Sequence, residues 1–305
     1  MAIGLISTII IFTLLASPST PFLDFFDYNP NILPKVSEIS SSPPRISNNS
    51  LGIKTTAQSI MVIDEKSQQG LFEKNPYQIL SIASITKLMT VLVFLDLNQD
   101  WNKSVVITDS DLRKGGIEYL LSGESVNVED LFYLTLVSST NEAAAALVRS
   151  TGISQENYVN LMNQKARDLG MLNTHFEEVT GLNPSNQSTA IDLIKLAAVA
   201  FTQKEITTAT QLPGYNFTIL NKGINRYAPT TNKLLSSFVN TDQYSIVASK
   251  TGFIDESGYC QIIKIKNAQI DQSILIAILG SQTLEDRWQE IKGLVDWVFN
   301  SYTWE

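Results

Sequence analysis

The hydrophobic period changes along the chain, and each change predicts an element. Residues 57–65, AQSIMVIDE, are apolar and β-branched with partial alternation, which predicts a strand; QQGLFEKN after it predicts a turn and a second strand. From Ser84 to about Leu97 the chain is apolar nearly all round, the pattern of a buried helix. VVIT (105–108) predicts a short strand, and VNVEDLFYLTLV (126–137) a helix. NEAAAALVRS (141–150) predicts a further helix after a break at SST. ENYVNLMNQKARDLG (156–170) is amphipathic and ends at Gly170, a suitable C-cap, and TAIDLIKLAAVAFT (189–202) is again helical. The period then shortens. YSIVASKTGF, YCQIIKIKN and QSILIAILGS predict three consecutive strands of an antiparallel meander, and TLEDRWQEIKGLVDWVFNSY closes as an amphipathic helix. Strand, helices, strands, helix describes an α+β fold: one antiparallel sheet built from both chain ends, with helices packed on it.

The first residues follow a different logic. The run from Ala2 to Ala16 is apolar and uncharged but shorter than the ~20 residues a spanning helix needs. Residues 1–19 therefore read as a removed secretory signal or a retained membrane anchor, although no Lys or Arg precedes the apolar run. Residues 20–55 are rich in Ser, Pro and Asn and read as a flexible linker, leaving 56–305 as the folded domain. A leader followed by a spacer implies that the domain is exported and works outside the cytoplasm, tethered if the leader is retained.

Charge and composition narrow the chemistry. With 305 residues there is ample chain for a large core. The net charge of −8 and the lack of a basic cluster argue against nucleic acid or an anionic membrane surface as the main partner. Cys260 is the only cysteine, so no intrachain disulfide is possible, and on a strand it reads as a buried small side chain. His175 is the only histidine, and no Cys/His cluster or phosphate-binding glycine loop is present. No metal or organic cofactor is implied.

Three short motifs carry the candidate chemistry. Ser84-Ile85-Thr86-Lys87 opens the buried helix, with Ser84 and Lys87 one turn apart on the same face. Alone it reads more readily as a helix cap followed by a surface lysine, since a lone S-x-x-K arises by chance in many chains. Ser139-Thr140-Asn141 lies at the break between two helices, where Asn141 would also serve as an N-cap. Lys250-Thr251-Gly252 ends a strand. S-x-x-K, S-x-N and K-T-G in this order mark penicillin-binding proteins and serine β-lactamases.

From about Ala57 to Trp297 the chain resembles the low-molecular-weight penicillin-binding proteins of the D-alanyl-D-alanine carboxypeptidase family, peptidase family S11. The resemblance is carried by KNPYQILSIASITKLMT, SSTNEAAAAL, MNQKARDLGMLNTHFEEVTGLNPSNQSTAIDL, TTNKLL, SKTGFIDESGYC and the Gly280 to Arg287 stretch. It departs at Ile82, where the family usually has proline, and at Thr140, where it usually has glycine or serine. It implies a β-lactamase/transpeptidase-like fold with a helical subdomain. It also implies a serine D,D-carboxypeptidase that removes the terminal D-alanine from peptidoglycan stem peptides ending in D-Ala-D-Ala and is acylated by β-lactam antibiotics. By that resemblance Ser84 is the nucleophile, and Ser139 relays a proton to the leaving group while Asn141 holds the substrate amide. Lys250 and Thr251 bind the terminal carboxylate, Gly252 allows close approach, and the backbone N–H groups of Ser84 and Phe253 form the oxyanion hole. A serine needs a base. Lys87 can be that base if burial and the positive charge of Lys250 keep it neutral.

Other readings remain open at this stage: a D,D-endopeptidase with the same motifs, a serine β-lactamase, or a non-catalytic cell-wall-binding module. A class A β-lactamase needs a glutamate in E-x-x-L-N, and Glu178 stands one residue too far from Leu182-Asn183. Arg167 and Asp168 read as a solvated helix face, and Glu124 and Asn232 as structural.

Overall fold

A computed structural model describes residues 45, 46, 50, 52–97 and 100–304. Five strands form the main sheet: β1 (Ser59–Asp64), β2 (Gly70–Lys74), β3 (Tyr244–Ile254), β4 (Gly258–Asn267) and β5 (Gln272–Ser281). Their order is β3-β4-β5-β1-β2 with every pair antiparallel, so the sheet joins both ends of the domain as the sequence pattern predicts. Side chains alternate across a strand, and here the alternation divides each central strand between two cores. Met61, Ile63, Ile262, Leu275 and Ala277 face a core shared with the helices. Ile60, Val62, Ile263, Ile265, Ile274 and Ile276 face a second core under the C-terminal helix. Both faces are covered, which is why these strands read as almost continuous apolar runs.

Seven α-helices are described: α1 (Thr86–Asp96), α2 (Val128–Val137), α3 (Asn141–Ser150), α4 (Gln155–Asp168), α5 (Ala190–Ala200), α6 (Lys204–Thr210) and α7 (Leu284–Ser301). α7 lays Ile291, Leu294, Val295 and Val298 on one face of the sheet, and α5 contributes Leu193, Leu196 and Ala197 to the other. α1 is buried from Thr86 to Phe94.

The differences from the sequence pattern have local causes. A 3-10 turn, Ala83–Ile85, precedes α1, so Ser84 sits in a tighter turn than an α-helix start. Helix α2 begins two residues later than expected, because Asn127 caps it in a reciprocal box with Asp130 and Ser125–Asn127 pairs instead with Ser104–Val106. Helix α4 stops at Asp168, and Gly170 takes the left-handed φ of +69° expected of a C-cap glycine. The hairpin Gly214–Ile219/Ile224–Pro229 went unread, as did α6.

The leader segment 1–19 and most of the linker 20–55 lie outside the described residues. The end of the linker does not: Arg45–Ile46 pairs antiparallel with Tyr302–Thr303, and Ile53 packs against the α7 core. Lys74 Nζ donates to the Thr55 carbonyl at 3.1 Å. The described part of the linker is thus tied to the domain upstream of the residue-56 boundary drawn from composition. Among the described residues no helix is long and apolar enough to cross a membrane.

The sheet edge matters for function. β3 is an edge strand, and its first half is closed: Gln211 Nε2 donates to the carbonyls of Ile246 (3.2 Å) and Val247 (3.0 Å) beside a bulge. Beyond that bulge β3 runs past the Ala83–Ile85 turn.

Candidate active site

The Ser84 turn is held in an uncommon conformation. Ala83 has φ +47°, which for a residue with a Cβ costs on the order of 1–3 kcal/mol and persists only where neighbours enforce it. Two glycines are those neighbours. A Cβ on Gly181 would lie 2.0 Å from the Ala83 carbonyl oxygen, and one on Gly252 would lie 2.8 Å from the Ile82 carbonyl oxygen and 3.2 Å from Ser84 N. Backbone therefore meets backbone on both sides of the nucleophile, and the Ser84 amide abuts β3 at the residue before Phe253.

Lys87 is fully buried, and its amine meets three oxygens: Ser84 Oγ at 2.9 Å, Asn141 Oδ1 at 2.6 Å and the Thr180 carbonyl at 2.6 Å. Burial pushes its pKa down to about 7, against the opposing fields of Glu178 and Glu142. A neutral amine has two N–H groups and one lone pair. Asn141 Oδ1 and the Thr180 carbonyl accept only, so they take the two N–H groups and leave the lone pair for the Ser84 hydroxyl. That is the geometry a general base needs.

Ser139 and Lys250 form the opposite wall. Ser139 has φ +61°, and its hydroxyl accepts from Lys250 Nζ at 2.7 Å. Lys250 also donates to the Thr251 carbonyl at 2.8 Å and is buried. Burial, then the nearby Lys87 and Arg287, drive its pKa well down. The reading from sequence joins burial with a positive Lys250 in keeping Lys87 neutral; in the structure burial is the cause that lowers Lys87, and Lys250 is itself driven toward the neutral form in the free site. Burial acts on both amines, and each disfavours charge on the other. Thr251 shares a 2.7 Å hydroxyl contact with Thr231, and Phe253 is half-exposed with its ring stacked on Tyr259 at 4.2 Å.

Asn141 is not the cap. Thr140 holds the N-cap position of α3, and Asn141, in the first turn, bridges Lys87 through Oδ1 and the Gly115 carbonyl through Nδ2 (2.8 Å). One N–H and one lone pair of its amide remain for a ligand. The next residue, Glu142, is buried with its carboxylate accepting from the N–H groups of Tyr119 (2.8 Å) and Leu120 (3.2 Å); burial raises its pKa.

The contacts thus bring the candidate residues together where β3, the Ser84 turn and the start of α3 meet. Sequence reasoning missed several that complete it: Thr180 and Gly181 in the TGL stretch, Thr231 in TTNKLL, and Arg287. The glycine at 181 was the one signal a lone sequence offers there; the structure gives it a φ of +87°. Arg287 is a buried guanidinium behind β3, donating to the Cys260 carbonyl at 3.2 Å, with burial lowering its pKa to about 10. Residues read as structural behave so. Glu124 is buried and accepts from Arg226, Lys222 and Leu121 N–H. Burial pushes its carboxyl up, but those bonds outweigh it and hold the pKa at about 2. Asn232 bonds Ser249 and Gln261, Cys260 is buried, Arg167 and Asp168 are exposed, and His175 pairs with Glu177 at the surface.

Residues 44–283 match the profile of the D-alanyl-D-alanine carboxypeptidase family, peptidase family S11. A D-alanyl-D-alanine endopeptidase of Pseudomonas aeruginosa is 33% identical over 237 residues, 74% of this chain and 72% of that protein. One of Haemophilus influenzae is 36% identical over 221 residues, 70% and 73% of the two chains. The crystal structure of the Streptomyces K15 DD-transpeptidase superposes with a TM-score of 0.75 at 24% identity, over 82% of this chain and all (100%) of that one; that likeness establishes the β-lactamase/transpeptidase-like fold.

Proposed function

Since this chain belongs to the D-alanyl-D-alanine carboxypeptidase family, we propose that it is a serine D,D-carboxypeptidase using Ser84 as nucleophile and Lys87 as base. It removes the terminal D-alanine from peptidoglycan stem peptides ending in D-Ala-D-Ala. One observation carries the reading: a fully buried lysine with a pKa near 7 has both N–H groups engaged by acceptors and Ser84 Oγ at 2.9 Å.

The peptide lies along the open half of β3. Ser84 Oγ attacks the carbonyl carbon of the penultimate D-alanine while its proton passes to Lys87 Nζ. The carbonyl π pair moves onto oxygen, between the N–H groups of Ser84 and Phe253. The C–N bond then breaks, and the leaving amine takes its proton through Ser139, which sits on Lys250. Once the proton on Lys87 has passed to the leaving amine, water gives a proton to the neutral Lys87 as its oxygen adds to the acyl carbonyl, the ester bond breaks, and Ser84 takes that proton back from Lys87. Lys250 and Thr251 hold the substrate carboxylate, whose charge favours protonation of Lys250 on binding. Gly252 lets the chain approach, and Asn141 offers its free N–H to the substrate amide. A β-lactam takes the same path and stops at the acyl-enzyme. The domain works outside the cytoplasm, where stem peptides are, with residues 1–19 as its export signal or membrane tether.

A second reading is a D,D-endopeptidase, favoured by the names of the two relatives at 33% and 36% identity. Its chemistry at Ser84 is the same. Incubation with a fluorescent penicillin, a D-Ala-D-Ala pentapeptide and a cross-linked peptide dimer separates the readings. Labelling with release of free D-alanine is expected; dimer cleavage alone identifies the endopeptidase, and no labelling at all removes both.

A further inference from the structure

We propose that Glu178, together with Asn186, is a positioning residue that fixes the Thr180 carbonyl and so aims the Lys87 amine at Ser84. This rests on the serine-peptidase reading above and adds a residue that no catalytic motif contains.

The carboxylate of Glu178 is an organiser of its own loop. Oε2 accepts from Thr180 N–H and from Thr180 Oγ1, both at 2.6 Å. Oε1 accepts from Gly181 N–H, from Asn186 Nδ2 at 3.0 Å and from Asn183 N–H at 3.4 Å. A carboxylate has about four acceptor sites, so these donors occupy its capacity. That leaves Glu178 unsuited to activating a water for deacylation, the task of a β-lactamase glutamate.

Asn186 is buried and ties this loop to the nucleophile helix. Its Nδ2 donates to Thr86 Oγ1 at 3.0 Å, its Oδ1 accepts from Glu177 N–H at 2.7 Å, and its backbone carbonyl accepts from Ile82 N–H at 3.1 Å. The Glu178 turn is therefore clamped to residues on both sides of Ser84. Its product is the position of two groups: Gly181, whose backbone presses on Ala83, and the Thr180 carbonyl, 2.6 Å from Lys87 Nζ. If that carbonyl moved, one N–H of the neutral amine would lose its acceptor and the lone pair would no longer be fixed on Ser84 Oγ.

Charge adds a second, separable effect. The ionisable groups facing the Lys87 amine are Glu178 from this loop, Glu142 from α3 and Lys250 from β3. Glu178 is the larger of the two acidic influences that favour protonated Lys87. Removing its charge lowers the pH at which Lys87 becomes neutral, whereas shortening the side chain disturbs the carbonyl and keeps the charge.

The experiment compares the full chain with Glu178→Gln and Glu178→Asp. It follows acylation by a fluorescent penicillin from pH 5 to 9, decay of the acyl-enzyme, and thermal unfolding. Both variants are expected to acylate more slowly by on the order of tenfold to a hundredfold, the effect of misplacing a reacting group. In Glu178→Gln the acid limb of the rate moves to lower pH by about one unit; in Glu178→Asp it stays. Acylation at the parent rate with a stalled acyl-enzyme would make Glu178 the deacylating base and overturn the assignment. Slowed acylation that tracks lost thermal stability, with the Glu178→Gln limb unmoved, would make it a packing residue and overturn it too. If Glu178→Gln does not fold, a folded Glu178→Asp that acylates at the parent rate still rejects the proposal. A parent protein that penicillin does not label would instead remove the function on which the proposal rests.

Discussion

A lysine amine in water is protonated below about pH 10 and cannot take a proton from serine. Lys87 escapes this because it is fully buried, and burial brings its pKa to about 7. The sign follows directly: the base is present above that pKa and absent below it. The rate of acylation by penicillin is therefore expected to rise through pH 7 as pH increases, and a flat profile from pH 5 to 9 would exclude Lys87 as the base. Replacing Lys87 by Arg keeps charge and bulk but leaves no group able to deprotonate. Acylation should fall by at least about a hundredfold, measured by stopped labelling at neutral pH. Lys250→Arg retains a donor for Ser139 and for a substrate carboxylate, so its loss should be smaller; the reverse order would interchange the two roles. These residues were legible in sequence because each motif is contiguous. Thr180 was not, since it contributes a backbone carbonyl, which any residue has.

The nucleophile turn is the element under strain, and its neighbours show where substitution is costly. Gly181→Ala would set a Cβ 2.0 Å from the Ala83 carbonyl oxygen at φ +87°, so backbone must move at the Ser84 turn. We expect penicillin acylation to drop more than about tenfold and the melting temperature to fall. Gly223 at the hairpin tip is the control: it also has positive φ (+63°) but open space around its Cβ. Gly223→Ala should cost only about 1 kcal/mol and leave acylation unchanged. If both variants acylate normally, the Gly181 contact does not shape the site. The hairpin Gly214–Ile219/Ile224–Pro229 offers a different test. Glu124 anchors it through Arg226 (2.6 Å) and Lys222 (2.9 Å). With its pKa held near 2, that contribution is present above the ordinary carboxylate range and is lost as pH falls through the folded value. Glu124→Ala should lower stability by about 3 kcal/mol at pH 7, the low end for removing one partner of a buried pair, the difference from the parent shrinking in acid, as read by urea unfolding. The hairpin was hard to see in sequence because its strands bury only Phe217, Ile219 and Ala228 in the core, too sparse a pattern to read, and these ion pairs add to its anchoring.

At the scale of the whole molecule, the sheet binds chain ends that are far apart in sequence, and the residues just before the first strand add to that closure. Arg45–Ile46 pairs with Tyr302–Thr303, and Trp297 Nε1 donates to Ser50 Oγ at 2.6 Å. Deleting residues 1–40 should leave a domain that binds penicillin like the full chain. Deleting residues 1–50 should also leave penicillin binding but lower the melting temperature by about 2–4 °C, the scale of 1 kcal/mol in a domain this large. Aggregation or lost labelling in the shorter truncation would move the domain boundary upstream.

The sequence alone determined the α+β layout, the order of the sheet's contributing segments and the three motifs, because hydrophobic period and contiguous side-chain chemistry are local properties of a chain. It placed Ser84, Lys87, Ser139, Asn141 and Lys250 to Phe253 as candidates without distances between them. Only the tertiary structure decided that Asn141 turns to Lys87 instead of capping α3, and that Lys250 is itself buried and depressed. It alone disclosed that Thr180 completes the base. Those facts depend on which groups are excluded from water and which backbone atoms come within hydrogen-bond reach across 54 and 93 residues of chain. Desolvation and long-range contact belong to the packed molecule, and no local pattern encodes them.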